Sequence, residues 1–212
     1  MERPGARHTI WYKVAPVATK CGTLYVGRRA AENALHAVRY AGEAGRPMNT
    51  HVTINFTTLG IDDDAAGTLF RDLQARVSRW WRDQRVRKGR DIGALLGFHT
   101  HANPAGSRHV HWLTHVPAEI AGDFAATVQK RLRKLAGRDD LGDALDIRPV
   151  GGPGGVAKYI LRGIDPAYAG YLHIEPAHEG LVAGCRRSGV SKAAGRSARK
   201  AAGWVRRKRA RR

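Results

Sequence analysis

The spacing of apolar and polar positions changes several times along this chain, and each change predicts an element. "RRAAENALHAVRYAGEAG", residues 28–45, repeats its apolar residues at helical spacing and ends at glycine. "NTHVTINFTTLG", 49–60, alternates and is rich in β-branched residues, which predicts a strand closed by Gly60. Next, Leu69, Leu73, Val77 and Trp80 or Trp81 form an apolar stripe behind Asp62, Asp63 and Asp64, which can cap a helix start. "DIGALLGFHTHAN", 91–103, and "RHVHWLTHVP", 108–117, predict two strands of a hairpin around the turn "NPAGS". "AEIAGDFAATVQKRLRKLAG", 118–137, predicts an amphipathic helix with cations in its last turns. "DALDIRPVGG", 143–152, predicts a strand, and "GVAKYILRG", 155–163, a short helix or helical turn. Near the start, "HTIWYKVAPV" reads as a strand or an extended arm.

The core order is therefore β-α-β-β-α-β followed by a helix. That order predicts an α+β fold of ferredoxin-like type, with two helices on one face of a mainly antiparallel sheet. A length of 212 residues with 42% hydrophobic content suits one domain with extensions. We divide it into an N-terminal extension (1–45), a central domain (46–178) and a basic tail (179–212). No apolar run approaches the ~20 residues of a membrane span. The N-terminus has no apolar signal core, and Cys21 and Cys185 lack metal-type spacing. A reducing cytoplasm is the expected location, with no membrane partner.

Charge sharpens this picture. The formal net charge is +19. From Arg186 to Arg212 there are twelve Lys or Arg and no acid, in a glycine- and arginine-rich stretch expected to be loosely ordered. Such a run repels itself until it meets a polyanion, and nucleic acid is the obvious one. The candidate phosphate-binding residues are Arg186, Arg187, Lys192, Arg196, Arg199, Lys200, Arg206, Arg207 and Lys208. The tail alone implies neither sequence specificity nor chemistry.

The candidate chemistry lies in "HVHWLTHVP" and "GVAKYILRG". In a strand, His109 and His111 project from one face while Val110 and Trp112 project from the other. Two neutral imidazoles side by side make a partial metal site with open positions, or simply a polar face. In a helix, Tyr159 and Arg162 share a face and Lys158 lies about 100° round. Nearby cations favour a phenolate and bind a phosphate beside it. Other residues have plainer readings. His115 fits a rim position. Tyr168 and Tyr171 are alternative nucleophiles without a cation as close in sequence. Trp80 and Trp81 can stack on bases or pack in the core, and Asn55 has a polar or surface role.

These stretches, in this order, resemble the HUH endonucleases, named for His, bulky apolar residue, His. Within that superfamily the chain is similar to rolling-circle replication initiators of phages, plasmids and integrated elements. The resemblance covers roughly residues 49–165. It implies a ferredoxin-like or RRM-like palm and a metal-dependent enzyme that nicks and joins single-stranded DNA. By that resemblance Tyr159 attacks the phosphodiester and stays joined to the 5′ phosphate. By the same resemblance His109 and His111 hold Mn2+ or Mg2+; the third group is expected from "HTH" on the neighbouring strand of the hairpin, His101 or His99, with His101 the expected one. Lys158 and Arg162 orient the phosphate or lower the tyrosine pKa. The partner is single-stranded or origin DNA. Because no helicase-type phosphate loop is present, unwinding calls for a host helicase or polymerase. The chain departs from its relatives at two points. Gly155 stands where many carry a first tyrosine, which favours a single-tyrosine enzyme. Ala102 in "HANP" replaces a glutamate they often carry. The alternatives are a non-catalytic DNA- or RNA-binding protein on the same fold and a histidine-based nuclease in which Tyr159 is structural.

Overall fold

Alternation in "THVTIN" puts Val52 and Ile54 on one side of strand β1 (Thr50–Asn55) and His51, Thr53 and Asn55 on the other. The same pleat sorts β3 (His109–Thr114) into Val110 and Trp112 against His109, His111 and Leu113. A computed structural model, describing residues 22–205, pairs these strands antiparallel, with Val52 opposite Trp112 and Thr53 opposite His111. The predicted N-terminal strand or arm, and Arg206, Arg207 and Lys208, lie outside the described residues. β2 (Gly97–Ala102) pairs with the other edge of β3, and β4 (Leu145–Pro149) pairs with β1. β5 (Ser188–Val190) extends the sheet beyond β2. The order is β4-β1-β3-β2-β5, antiparallel throughout.

α1 spans Arg28–Glu43, α2 Asp63–Val86 and α3 Ala121–Ala136. The helical stripes of α2 and α3 bury against one face of the sheet. Phe70, Leu73 and Val77 of α2, with Phe124, Val128 and Leu132 of α3, enclose Val52, Ile54, Val110 and Trp112. Each such fully buried side chain contributes roughly 1.5–3 kcal/mol relative to exposure. α3 stops where Gly137 takes the left-handed conformation that a glycine adopts without strain. This is the α+β arrangement that the pattern predicts.

The opposite face is partly covered as well. α1 lays Ala31, Ala34, Ala37 and Ala41 against the sheet, where small residues permit close approach. α4 (Pro153–Ile160) packs beside it, and Phe98, Leu113 and Leu161 complete this second core. The predicted extension around α1 is thus built into the domain. The strand predicted from residue 91 begins only at Gly97. Gly93 sits at φ 57°, which interrupts extended backbone, and the Arg46 guanidinium donates to the carbonyls of Ile92 and Ala94.

Beyond α4, Asp165 caps α5 (Pro166–Leu172) by accepting from Ala167 N–H at 3.0 Å. The chain from Arg186 to Val205, predicted as a loose tail, is folded onto the domain as β5 and α6 (Arg196–Ala201). Two of its cations explain why. Arg187 is 4% exposed and donates to the carbonyls of Thr23, Leu24, Glu179 and Gly180. Arg199 is 5% exposed and donates to Asn33 and to the Ala194 carbonyl.

Candidate functional site

The face of β1 and β3 turned away from α2 and α3 gathers three imidazoles. Register puts Thr53 opposite His111 and Asn55 opposite His109, with His51 one pair further along. The His109 and His111 rings lie 4.8 Å apart. His109 Nδ1–H donates to the Ser107 carbonyl at 2.8 Å, which leaves Nε2 as its lone-pair nitrogen. His111 Nδ1 lies 3.2 Å from His51 Nε2 and 3.3 Å from Thr53 Oγ1. A proton on that Nδ1, donated to His51, leaves His111 Nε2 free as well. Each imidazole of the His-Val-His pair therefore has one nitrogen occupied by a neighbour and one without a partner among the described residues.

Their surroundings keep these rings neutral. Burial pulls the His111 pKa down to about 3, with His109, His51 and Arg162 adding to the effect. Burial also lowers His109 and His51. Neutral imidazole is the form that ligates metal or accepts a hydrogen bond.

α4 delivers the tyrosine to this face. Its ring contacts His111 edge-on at 5.7 Å between centroids, and Tyr159 remains 48% exposed. The Arg162 guanidinium lies 4.7 Å above the same ring. Arg162 Nε in turn donates to Glu179 Oε1. Glu179 is 6% exposed, its Oε2 has no hydrogen-bond partner among the described residues, and its charge favours protonation of His109. Sequence reasoning missed both His51 and Glu179. His51 could have been found by asking which β1 residues share the face of Thr53. For Glu179, in the irregular "HIEPAHEG", no local pattern offers a signal.

Several expected residues stand elsewhere. His101 is a correction: it pairs with Val110, is 1% exposed, and packs its ring 5.3 Å from Phe70 and 6.2 Å from Phe56 on the α2 side. The pleat puts it, and His99 with it, on the face opposite His109 and His111. Lys158 is exposed and lines a cleft of about 740 Å³ with Glu32, Gly155 and Tyr171, rather than meeting the Tyr159 ring. Arg187 and Arg199 are committed to the fold and unavailable to phosphate, whereas Arg186, Lys192, Arg196 and Lys200 are exposed. Tyr168 and Tyr171 do have a cation, Arg28, over their rings at 5.8 and 4.7 Å, but among the described residues no histidine ring contacts them. His115 Nδ1 bonds the Pro47 carbonyl at 2.7 Å, away from the other imidazoles. Trp81 is buried, Trp80 packs against the same core, and Asn55 accepts from Thr58 N–H in a turn.

Among the described residues no group of three or more His, Cys, Asp or Glu is gathered as a metal site. His109 and His111 do fit a two-imidazole set, neutral and with uncommitted nitrogens, that leaves the remaining positions of an ion open. Among the described residues no helix is long and apolar enough to cross a membrane. Comparison of the chain with family models and with curated proteins finds no match.

Proposed function

We propose that this chain nicks and rejoins single-stranded DNA as an HUH-type enzyme of the replication-initiator kind, with Tyr159 as nucleophile. The observation that carries this reading is the stack of Arg162, Tyr159 and His111 on one half-open face of the sheet. The Tyr159 oxygen attacks phosphorus and the bond to the 3′ oxygen breaks. The 5′ phosphate stays on the tyrosine, and the departing 3′ oxygen takes a proton from water to become a hydroxyl. Because the ring is half exposed, its proton departs to water. Arg162, held by Glu179, faces the developing charge and orients the phosphate. His109 and His111 would hold Mn2+ or Mg2+, imidazole donors favouring the transition metal. Such an ion polarises a phosphate oxygen when bound. Relatives of this type often carry a glutamate where Ala102 stands, opposite His109 on β2, and Glu179 offers a carboxylate that Ala102 cannot. The open strip of His51, Thr53 and Asn55 receives the strand, and the exposed cations Arg186, Lys192, Arg196 and Lys200 hold its phosphates. A host helicase or polymerase supplies unwinding.

The incomplete metal set favours a second reading, a DNA- or RNA-binding protein of the same fold that does not cut. A denaturing gel separates the two. Labelled single strands from the source element are incubated with protein and Mn2+, or with chelator, beside Tyr159→Phe and His109→Ala/His111→Ala. The enzyme reading expects a boiling-resistant adduct that needs metal and is absent from both variants. Tight binding without adduct under any divalent ion leaves the binding protein. Cleavage that survives Tyr159→Phe makes the histidines, not the tyrosine, the reactive groups.

A further inference from the structure

α2 carries a cation every third residue along its second half: Arg76, Arg79, Arg82 and Arg85, continued by Lys88 just past its end. From Arg76 to Arg90 there are seven basic residues and one acid, Asp83. α3 packs alongside, and its second half with the residues just past its end, Lys130 to Arg138, adds five cations and no acid. Like charges three apart on a helix repel. Among the described residues, Arg90 is the one of these cations in an ion pair, with Asp123. The two helices share a groove of about 240 Å³ in which Lys88 and Lys130 meet beside Trp80, Gln84 and the already paired Asp123. A shallow cleft of about 510 Å³ then gathers Lys130, Arg133, Lys134 and Arg138, with one acid, Asp139.

We propose that the outer surface of α2 and α3 docks double-stranded DNA through its phosphates, on the opposite side of the sheet from His109, His111 and Tyr159. Three features select that occupant. The first is charge density. Arg76 to Lys88 spans about 18 Å at helical rise. A duplex presents about ten phosphates over that length, and a single strand about half as many. Over that length α2 and the residues just past its end carry six cations, and the segment from Lys130 to Arg138 adds five more beside it, which together exceed the phosphates of a single strand. The second is the shortage of stacking rings, since Val86 is the sole exposed large apolar side chain on these two helices and Trp80 is partly buried. Single-strand platforms depend on such rings. The third concerns lipid. The apolar stripe of α2 already faces the core, so no apolar side remains to enter a bilayer. The proposal stands on this helical layer alone and does not require Tyr159 to be a nucleophile.

The test is fluorescence anisotropy of a labelled 20-bp DNA duplex with the full chain, titrated at several salt concentrations. Arg76→Gln/Arg79→Gln/Arg82→Gln/Arg85→Gln is compared with Arg206→Gln/Arg207→Gln/Lys208→Gln/Arg209→Gln, which removes equal charge from the end of the chain. Glutamine has a helix propensity close to that of arginine, and circular dichroism checks the fold. Each lost phosphate contact lowers the slope of log K against log salt by about 0.9, so the α2 variant should be shallower by about 3–4. The terminal variant should change the slope less. Should the quadruple variant unfold, Arg79→Gln/Arg82→Gln should give about half the change. Unchanged duplex binding in the α2 variants, or an equal loss in the terminal variant, overturns the proposal. So does tighter binding to an RNA duplex or to anionic phospholipid vesicles than to DNA. Adduct formation on single strands, run in parallel, reports on Tyr159 separately: the slope change stands with or without it.

Discussion

Replacing His99 by phenylalanine tests the burial of its ring beneath α2. Burial lowers the His99 pKa to about 4, from an ordinary value of 6.5. Its ring packs 4.9 Å from Phe70 and its Nδ1 accepts from Gln74 Nε2 at 3.3 Å, both of which suit a neutral imidazole. The sign follows from proton binding. Below pH 6.5 the unfolded chain takes up a proton that the folded chain refuses until about pH 4. Stability is therefore present above 6.5 and is lost as pH falls through that window. Between pH 7 and pH 5 this one residue removes about 2 kcal/mol. His111, lowered to about 3, and His101, lowered well below its ordinary value, add losses of the same sign. Phenylalanine keeps the ring packing and takes up no proton. At pH 7 the variant loses the Gln74 bond, at a cost of about 1 kcal/mol. Urea unfolding at pH 7, 6 and 5, at constant ionic strength, should show a decline for His99→Phe about 2 kcal/mol smaller than for the parent chain. Parallel curves, with the same loss in both proteins, would mean that His99 is solvated and not packed against Phe70 and Gln74.

Calorimetry with MnCl2 should find His101→Phe unchanged and His109→Ala/His111→Ala without detectable binding. His51→Ala, which removes the neighbour of His111 Nδ1, should weaken Mn2+ about 10–100-fold, and an unaltered affinity would leave His51 without a positioning role. Arg162→Gln should slow adduct formation at saturating strand about 100-fold or more, measured by quenched gel time courses. Gly180→Ala should cost about 2–4 kcal/mol in urea unfolding, because φ there is 64° and a Cβ would overlap the Asn103 carbonyl. A smaller cost would mean that the segment around Glu179 is loosely attached.

The elements were legible because each rests on a local period, and so was the shared face of His109 and His111. Which other imidazoles join them was not, because that depends on register, and register is set by turns and distant pairings. Ala102 pairs with His109 across the hairpin, so odd-numbered positions of β2 stand opposite even-numbered positions of β3. "HTH" and "HVH" both occupy odd positions, and this turn therefore sends them to opposite faces. One residue more or fewer in "NPAGS" would reverse the outcome. Between β1 and β3, Thr50 pairs with Thr114, which matches like parity and brings His51 to the side of His111. Glu179 is harder still, since its place depends on Arg187 anchoring the surrounding backbone through the carbonyls of Thr23, Leu24, Glu179 and Gly180. The same anchoring explains the folded tail. A run of arginines reads in sequence as solvated charge, yet buried carbonyls left by irregular backbone need donors, and a guanidinium has five. Arg187 and Arg199 meet that need. Charge counted along a chain thus overstates what is free for phosphate, and exposure shifts the largest unpaired share to α2 and α3.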